Sequence, residues 1–220
     1  MDRMAERELP VLKLHGLADA DFFVDALNDV LIDTKNASNQ IHLLDMMLFE
    51  DHYEFIYDKN LRNVKEDNWG GYDKDDDRYA AIWIRPLEVY DIVGSKLYLE
   101  QHPLRVEGLQ VISIKGIDYF WDDTTAQFME CENPFNRIHK SDTLYSFKTG
   151  EPGFYIDTDR KLPLYPHELA DTIKMMRERK ETELPSHIHF VSHHDLSKQI
   201  HKQKIGKSQS VTKKRNGRKL

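Results

Sequence analysis

The 220-residue chain has a single cysteine, Cys131, so no internal disulfide can staple it and its stability must come from an apolar core. No apolar run approaches the roughly 18 residues that a membrane-spanning helix requires. The opening MDRMAERELP carries charges where a secretory leader would carry an apolar stretch. The expectation is a soluble, cytoplasmic protein with no membrane contact. Glycine-rich phosphate loops, a Gly-x-Ser-x-Gly elbow and paired Cys-x-x-Cys knuckles are also missing, which removes the usual signatures of nucleotide binding, serine hydrolysis and structural zinc.

Acidic residues are missing from one place only. Positions 198–220 hold nine Lys and Arg and no Asp or Glu, while the preceding body holds 22 basic against 38 acidic residues, a formal charge of −16. The terminal segment has no aromatics and few apolar residues, so disorder is expected there. Eight of these nine, Lys202, Lys204, Lys207, Lys213, Lys214, Arg215, Arg218 and Lys219, form a polycation suited to weak, non-specific contact with nucleic acid, or else serve only to solubilise the chain.

The body contains an echo. DFFVDALNDVLIDTKNASNQIH (residues 21–42) and DYFWDDTTAQFMECENPFNRIH (118–139) share seven identities in 22 ungapped positions. Average composition would give about one or two. The match extends upstream, where LPVLKLHG answers LQVISIKG, and downstream, where YEFIYD answers PGFYID and RPLEVYDIV answers YPHELADTI. This predicts a tandem duplication, with a first repeat over 1–108, a second over 109–197 and the basic tail over 198–220. The first copy carries an acidic insert, here bounded as 63–78, and ELPSHIHF (183–190) predicts an extra terminal strand.

Apolar alternation in QVISIKG and, more loosely, in PVLKLHG predicts strands. Paired apolar runs separated by two to four polar residues, as in DFFVD and VLID, predict β-hairpins. Pro86 and Pro166 each open a predicted helix, and in the second Leu169, Ile173 and Met176 follow helical spacing. The expected fold is α+β: a duplicated, hairpin-containing ββ(β)αβα unit, mainly antiparallel, with its halves about a pseudo-two-fold axis.

The repeated segment Asn-x-x-Asn-x-Ile-His has two readings. Asparagine and aspartate bond their own backbone in turns, so the segment could be scaffold that both copies need. Alternatively Asp25, Asn39 and His42, with Asp122, Asn136 and His139, form paired polar sites able to move a proton or hold a cation. A second histidine group, His187, His189, His193 and His194 with Asp195, offers metal ligands without a companion set at recognisable spacing. Asp73, Asp75 and Asp77 imitate a calcium loop, but Arg78 replaces its glycine and Ile84 its glutamate. Cys131 reads as a small strand residue rather than a nucleophile.

The patterns LPVLKLHG…DFFVD…NASNQIH and GIDYFWDDTTAQFMECENPFNRIH resemble a domain found in uncharacterised proteins of Bacteroidetes, often encoded near conjugative or other mobile elements. The resemblance covers the two repeat cores and departs at Ala37, where that family has proline. It implies a genomic setting and no reaction. The reading that results is a non-enzymatic binding or accessory protein of a bacterial mobile element, engaging a protein partner through its acidic body and nucleic acid weakly through its tail, with no cofactor. Two alternatives stand beside it: an acidic mimic of DNA that occupies a nucleic-acid-binding protein, and a hydrolase or nuclease using a divalent metal on the histidine group.

Overall fold

Burial alternates residue by residue along QVISI, with Gln110, Ile112 and Ile114 inside and Val111 and Ser113 outside, which is why this segment is a strand with one face on a core. The same logic runs through the fold, which is α+β with mostly antiparallel sheets and few helices. The computed structural model describes residues 7–49, 52–68, 71–140 and 142–201. The chain divides into two compact units, Met1–Arg105 and Val106–Leu220.

In the first unit, β1 (Val11–Lys13), β2 (Asp21–Asp25), β3 (Val30–Asp33) and β4 (Gln40–His42) form an antiparallel meander in chain order. A second sheet is centred on β6 (Tyr53–Asp58). The two-residue strands β5 (Met47–Leu48) and β7 (Asn63–Val64) share one edge of β6, and β8 (Tyr79–Ile84) runs along all of the other. Phe22, Val24, Leu31 and Ile41 of the meander pack with Phe55, Tyr57, Ile82 and Ile84 of the second sheet to form the core. Phe22 and Tyr57 meet edge to face at 6.1 Å. Two helices follow β8: α1 (Leu87–Tyr90) after Pro86, and α2 (Ile92–Gln101), capped where the Gly94 N–H donates to the Asp91 carboxylate at 2.8 Å.

In the second unit the meander is β9 (Gln110–Ile114), β10 (Ile117–Asp122), β11 (Gln127–Glu130) and β12 (Arg137–His139). Its second sheet is centred on β14 (Pro152–Asp157), with β13 (Leu144–Tyr145) and β15 (Leu162–Pro163) on one edge and β16 (Ile188–Ser192) on the other. The helix α3 (Pro166–Glu178) lies between β15 and β16 in the chain, and a further helix, α4, spans 193–201. The expected face of α3 is the one used: Leu169 and Met176 are buried and Ile173 is packed against the same cluster as Leu169.

The helix pairing read from the sequence needs correction. Pro86 opens a helical segment after the last strand of its unit, whereas Pro166 opens one before the last strand. RPLEVYDIV and YPHELADTI therefore occupy different places in the strand order, and their similarity reflects shared helix-start chemistry. The extra strand expected over 183–190 is centred a few residues later. It pairs along β14 from Gly153 to Asp157, as β8 pairs along β6. The acidic stretch read as an insert over 63–78 begins within β7, since Asn63 and Val64 are themselves strand residues.

Candidate functional site

Four hairpins share one turn design. Asp25, Asp58, Asp122 and Asp157 each end a strand and pair with the residue five positions on: Val30, Asn63, Gln127 and Leu162. The residue before each of those partners has a positive φ: Asp29 (55°), Arg62 (54°), Ala126 (53°) and Lys161 (57°). The left-handed residue reverses the chain, and the leading aspartate holds the turn by accepting backbone N–H bonds. Asp25 accepts from Asn28 at 3.2 Å, Asp58 from Asn60 at 2.9 Å, Asp122 from Thr124 at 2.8 Å and Asp157 from Asp159 at 3.0 Å. The Thr125 hydroxyl, with that N–H, holds the Asp122 carboxyl below its ordinary range. Asp25 also receives the Arg7 guanidinium, which reaches Asp91 at 2.9 Å and so ties the β2–β3 turn to the start of α2.

The repeated Asn-x-x-Asn-x-Ile-His segment divides its tasks residue by residue. Asn36 and Asn133 open the turn: their side-chain oxygens accept from the N–H of Ser38 at 3.2 Å and of Phe135 at 3.3 Å. Asn39 and Asn136 join the meander to the second sheet. The Asn39 amide donates to Asp33 at 3.2 Å and to the carbonyl of Arg62 at 2.9 Å; the Asn136 amide donates to Glu130 at 2.8 Å and to the carbonyl of Lys161 at 2.5 Å. Ile41 and Ile138 are core residues opposite Leu31 and Phe128. The backbone N–H of His42 and of His139 donates to the carboxylate three residues on, Asp45 at 3.4 Å and Asp142 at 3.1 Å. Of the candidate polar groups Asp25, Asn39, His42 and Asp122, Asn136, His139, the aspartates hold hairpin turns and the asparagines tie the sheets, while His42 and His139 make these bonds through their backbone.

The carboxylates under the two asparagines differ. Asp33 is 1 % exposed and meets Arg62 in a bidentate pair, Nε at 2.6 Å and Nη2 at 2.8 Å, so its pKa is lowered to about 2. Among the described residues Glu130 meets no such guanidinium, and burial pushes its carboxyl above the ordinary range. Replacing Asn136 with alanine removes the amide from a buried carboxylate and from the Lys161 carbonyl. The expected loss is about 2 kcal/mol in urea denaturation. Asn39→Ala, at a more exposed site beside a carboxylate that keeps its arginine, is expected to cost about 1 kcal/mol; equal losses would show that burial of the carboxylate does not set the difference.

The histidine group does not converge. His187 precedes β16 and stands 3.8 Å from Asp159, and His189, on β16, lines a groove of about 300 Å³ with Phe147 and Glu183. His193 faces Phe154 beside Lys140; burial, and then Lys140, push its pKa down. His194 and Asp195 are exposed on α4. Among the described residues no three His, Cys, Asp or Glu side chains stand where they could share a metal ion. Asp73 and Asp76 accept N–H bonds from Asp75 at 3.0 Å and Arg78 at 2.9 Å within their own exposed loop. The Cys131 thiol is half-buried and burial raises its pKa. Lys202, Lys204, Lys207, Lys213, Lys214, Arg215, Arg218 and Lys219 lie outside the described residues.

What the motifs did not indicate is a surface. In the second unit Tyr155, Ile188 and Phe190 on the outer face of the second sheet are covered by Leu164 and by Leu169 and Ile173 of α3. In the first unit, residues 65–78 occupy that position in the chain, and the outer face presents Trp83, 44 % exposed, beside exposed Ala81. Trp83 stacks on His52 at 4.7 Å, and His52 on Phe49 at 4.9 Å with the rings within 4° of parallel. The Glu54 carboxylate, opposite Trp83 in the β6–β8 register, stands 3.0 Å from His52 Nε2. Phe49 is 45 % exposed, so the stack is partly open to solvent at Phe49 as at Trp83. The available signal was YAAIWI, whose alternation places Trp83 on the face opposite Ile82 and Ile84. Comparison of the chain with protein-family models, with curated proteins and with solved structures gives no match.

Proposed function

We propose that the chain is a non-enzymatic binding protein built from two copies of one scaffold, and that its first unit engages a protein partner through the Phe49–His52–Trp83 stack. The observation that carries this reading is the ordered, solvent-facing stack itself: large aromatics with little side-chain freedom are the usual energetic anchors of protein interfaces. Duplication is supported by the matched registers, Asp25↔Val30 with Asp122↔Gln127 and Asp58↔Asn63 with Asp157↔Leu162. Stacked rings can also accept nucleobases. The charge decides between the two: residues 1–105 hold 22 acidic and 12 basic residues, a formal −10, which repels a phosphate backbone. In the same reading the chain as a whole is an accessory protein of a bacterial mobile element, and its basic terminal segment makes the weak, salt-sensitive nucleic-acid contact.

The test is the double variant Phe49→Ser, Trp83→Ser. Both side chains are half-exposed, so the variant is expected to keep its circular dichroism spectrum and lose at most about 1 kcal/mol. Partners cross-linked to the intact chain in cells that produce it are expected to be reduced at least tenfold, the loss that removal of interface anchors of this kind commonly causes. The same partners recovered in the same yield with the double variant would remove the stack as the contact.

A further inference from the structure

The mode of binding can be taken one step further, on the premise of the reading above. Among the described residues β8 is hydrogen-bonded to β6 alone, and no described strand lies along its other edge. Which residues face that edge follows from the ladder. The Lys59 N–H donates to the Arg78 carbonyl at 2.9 Å, which makes 59 and 78 a hydrogen-bonded pair; with the register Tyr57↔Ala80, Phe55↔Ile82 and Tyr53↔Ile84, those residues exchange bonds too. Ala81, between them, must turn its N–H and C=O away from β6. Its opposite number agrees: Ile56 also points away from β8, donating to Asn68 at 2.6 Å and accepting from Lys65 at 2.8 Å across the far edge.

The strand itself, YAAIWI, is six residues without charge, proline or glycine, an edge of the kind that natural sheets usually blunt. Charge lies just outside it. Asp73, Asp75, Asp76 and Asp77 are exposed in the turn that leads into β8. Of the cations here, Arg78 is held by the buried Asp58 at 2.5 Å and Lys59 donates to the Asp77 carbonyl at 2.5 Å, which leaves Lys74 within the run against four carboxylates. An incoming strand therefore meets an apolar ladder with a negative end. We propose that β8 accepts an extended, basic peptide segment of a partner protein as an added antiparallel or parallel strand, with alternate side chains lying against Trp83 and lysines or arginines facing Asp73 to Asp77. A second copy of this chain is disfavoured as occupant by the −10 charge that both copies would carry.

The probe is a synthetic twelve-residue peptide of alternating lysine and valine, titrated calorimetrically into the full chain. Binding is expected, weakening several-fold between about 50 and 500 mM salt. The matching glutamate–valine peptide is expected not to bind. Ala81→Pro is the discriminating variant: proline removes only the outward N–H and fits an edge position, so the β6–β8 ladder stays whole while peptide affinity falls at least tenfold. The same lysine–valine peptide N-methylated at every second residue tests the idea without altering the protein, and is also expected to lose at least tenfold.

Undiminished binding of the methylated peptide, or of the lysine–valine peptide to folded Ala81→Pro, would overturn strand addition and leave charge attraction alone. A dimer of the full chain that Ala81→Pro dissociates would make a second copy the occupant, and peptide binding that appears only after removal of 202–220 would make the chain's own tail the occupant; either overturns the proposal. If Phe49→Ser, Trp83→Ser abolishes partner cross-linking while Ala81→Pro leaves it intact, the edge inference falls and the aromatic reading stands. If neither variant changes it, both fall.

Discussion

Asp33→Ala is expected to lower the stability of the first unit by about 3 kcal/mol, the lower end of the range for breaking a buried ion pair, because its partner Arg62 keeps some access to water. The carboxylate also accepts from the Lys35 N–H at 2.9 Å and from the Asn39 amide at 3.2 Å, so its removal releases the β3 exit and the tie to the second sheet together. Asp33 ionises more readily in the folded chain than in the unfolded one. Its contribution is therefore complete above the ordinary carboxylate range near pH 4 and is lost as pH falls toward about 2. That loss amounts to roughly 2 kcal/mol. Glu130 has the opposite sign: its raised pKa favours folding in acid, and that contribution disappears as pH rises through its folded-state value. Denaturant midpoints of the wild type and of Asp33→Asn between pH 5 and 2 provide the check. The wild type is expected to lose its advantage over the variant across this window, and a difference independent of pH would remove the ionised Asp33–Arg62 pair as its source. A double-mutant cycle with Arg62→Ala is expected to show coupling of about 1 to 2 kcal/mol.

Gly153→Ala is expected to be at least as costly, for a reason of space. Gly153 is in extended backbone on β14, opposite Ser192 of β16. A Cβ there falls on the carbonyl oxygen of Val191 and lies 2.7 Å from Cζ of Phe190. A flexible side chain could move aside, but a ladder carbonyl can do so only by opening the β14–β16 pairing. The expected loss exceeds about 3 kcal/mol, placing it among the overpacked or strained substitutions, and amide exchange is expected to accelerate first along β16 and α4. A cost under 1 kcal/mol would mean that the two strands can separate without breaking the sheet. The matching place in the first unit holds Glu54 opposite Trp83, so the same register leaves room there for two large side chains. A close approach in one unit corresponds to an exposed stack in the other.

Much of the local structure could be read directly from the residues. DFFVD, QVISI and PGFYID are strands because their patterns and β-forming residues act over two or three positions. The Asn-x-x-Asn-x-Ile-His echo was legible as a turn because Asn36 and Asn133 bond the backbone two residues on, whereas the ties from Asn39 to Arg62 and from Asn136 to Lys161 reach residues far along the chain and were set by the fold. Pro166 and Leu169, Ile173 and Met176 marked a helix and its buried side for the same local reason as the turn. Tertiary structure alone decided what lies across from these elements. That α3 falls before β16 while α1 and α2 fall after β8 depends on which strand completes each second sheet, a pairing between residues far apart in the chain. The four histidines from His187 to His194 are neighbours in sequence, but His187 lies before β16 beside Asp159, His189 is on the strand, and His193 and His194 are on the helix that follows, so they do not form one site. The exposure of Trp83 was decided in the same way: its side of the strand was legible from alternation, but only the fold placed a helix over the corresponding face of the second unit and none over this one among the described residues.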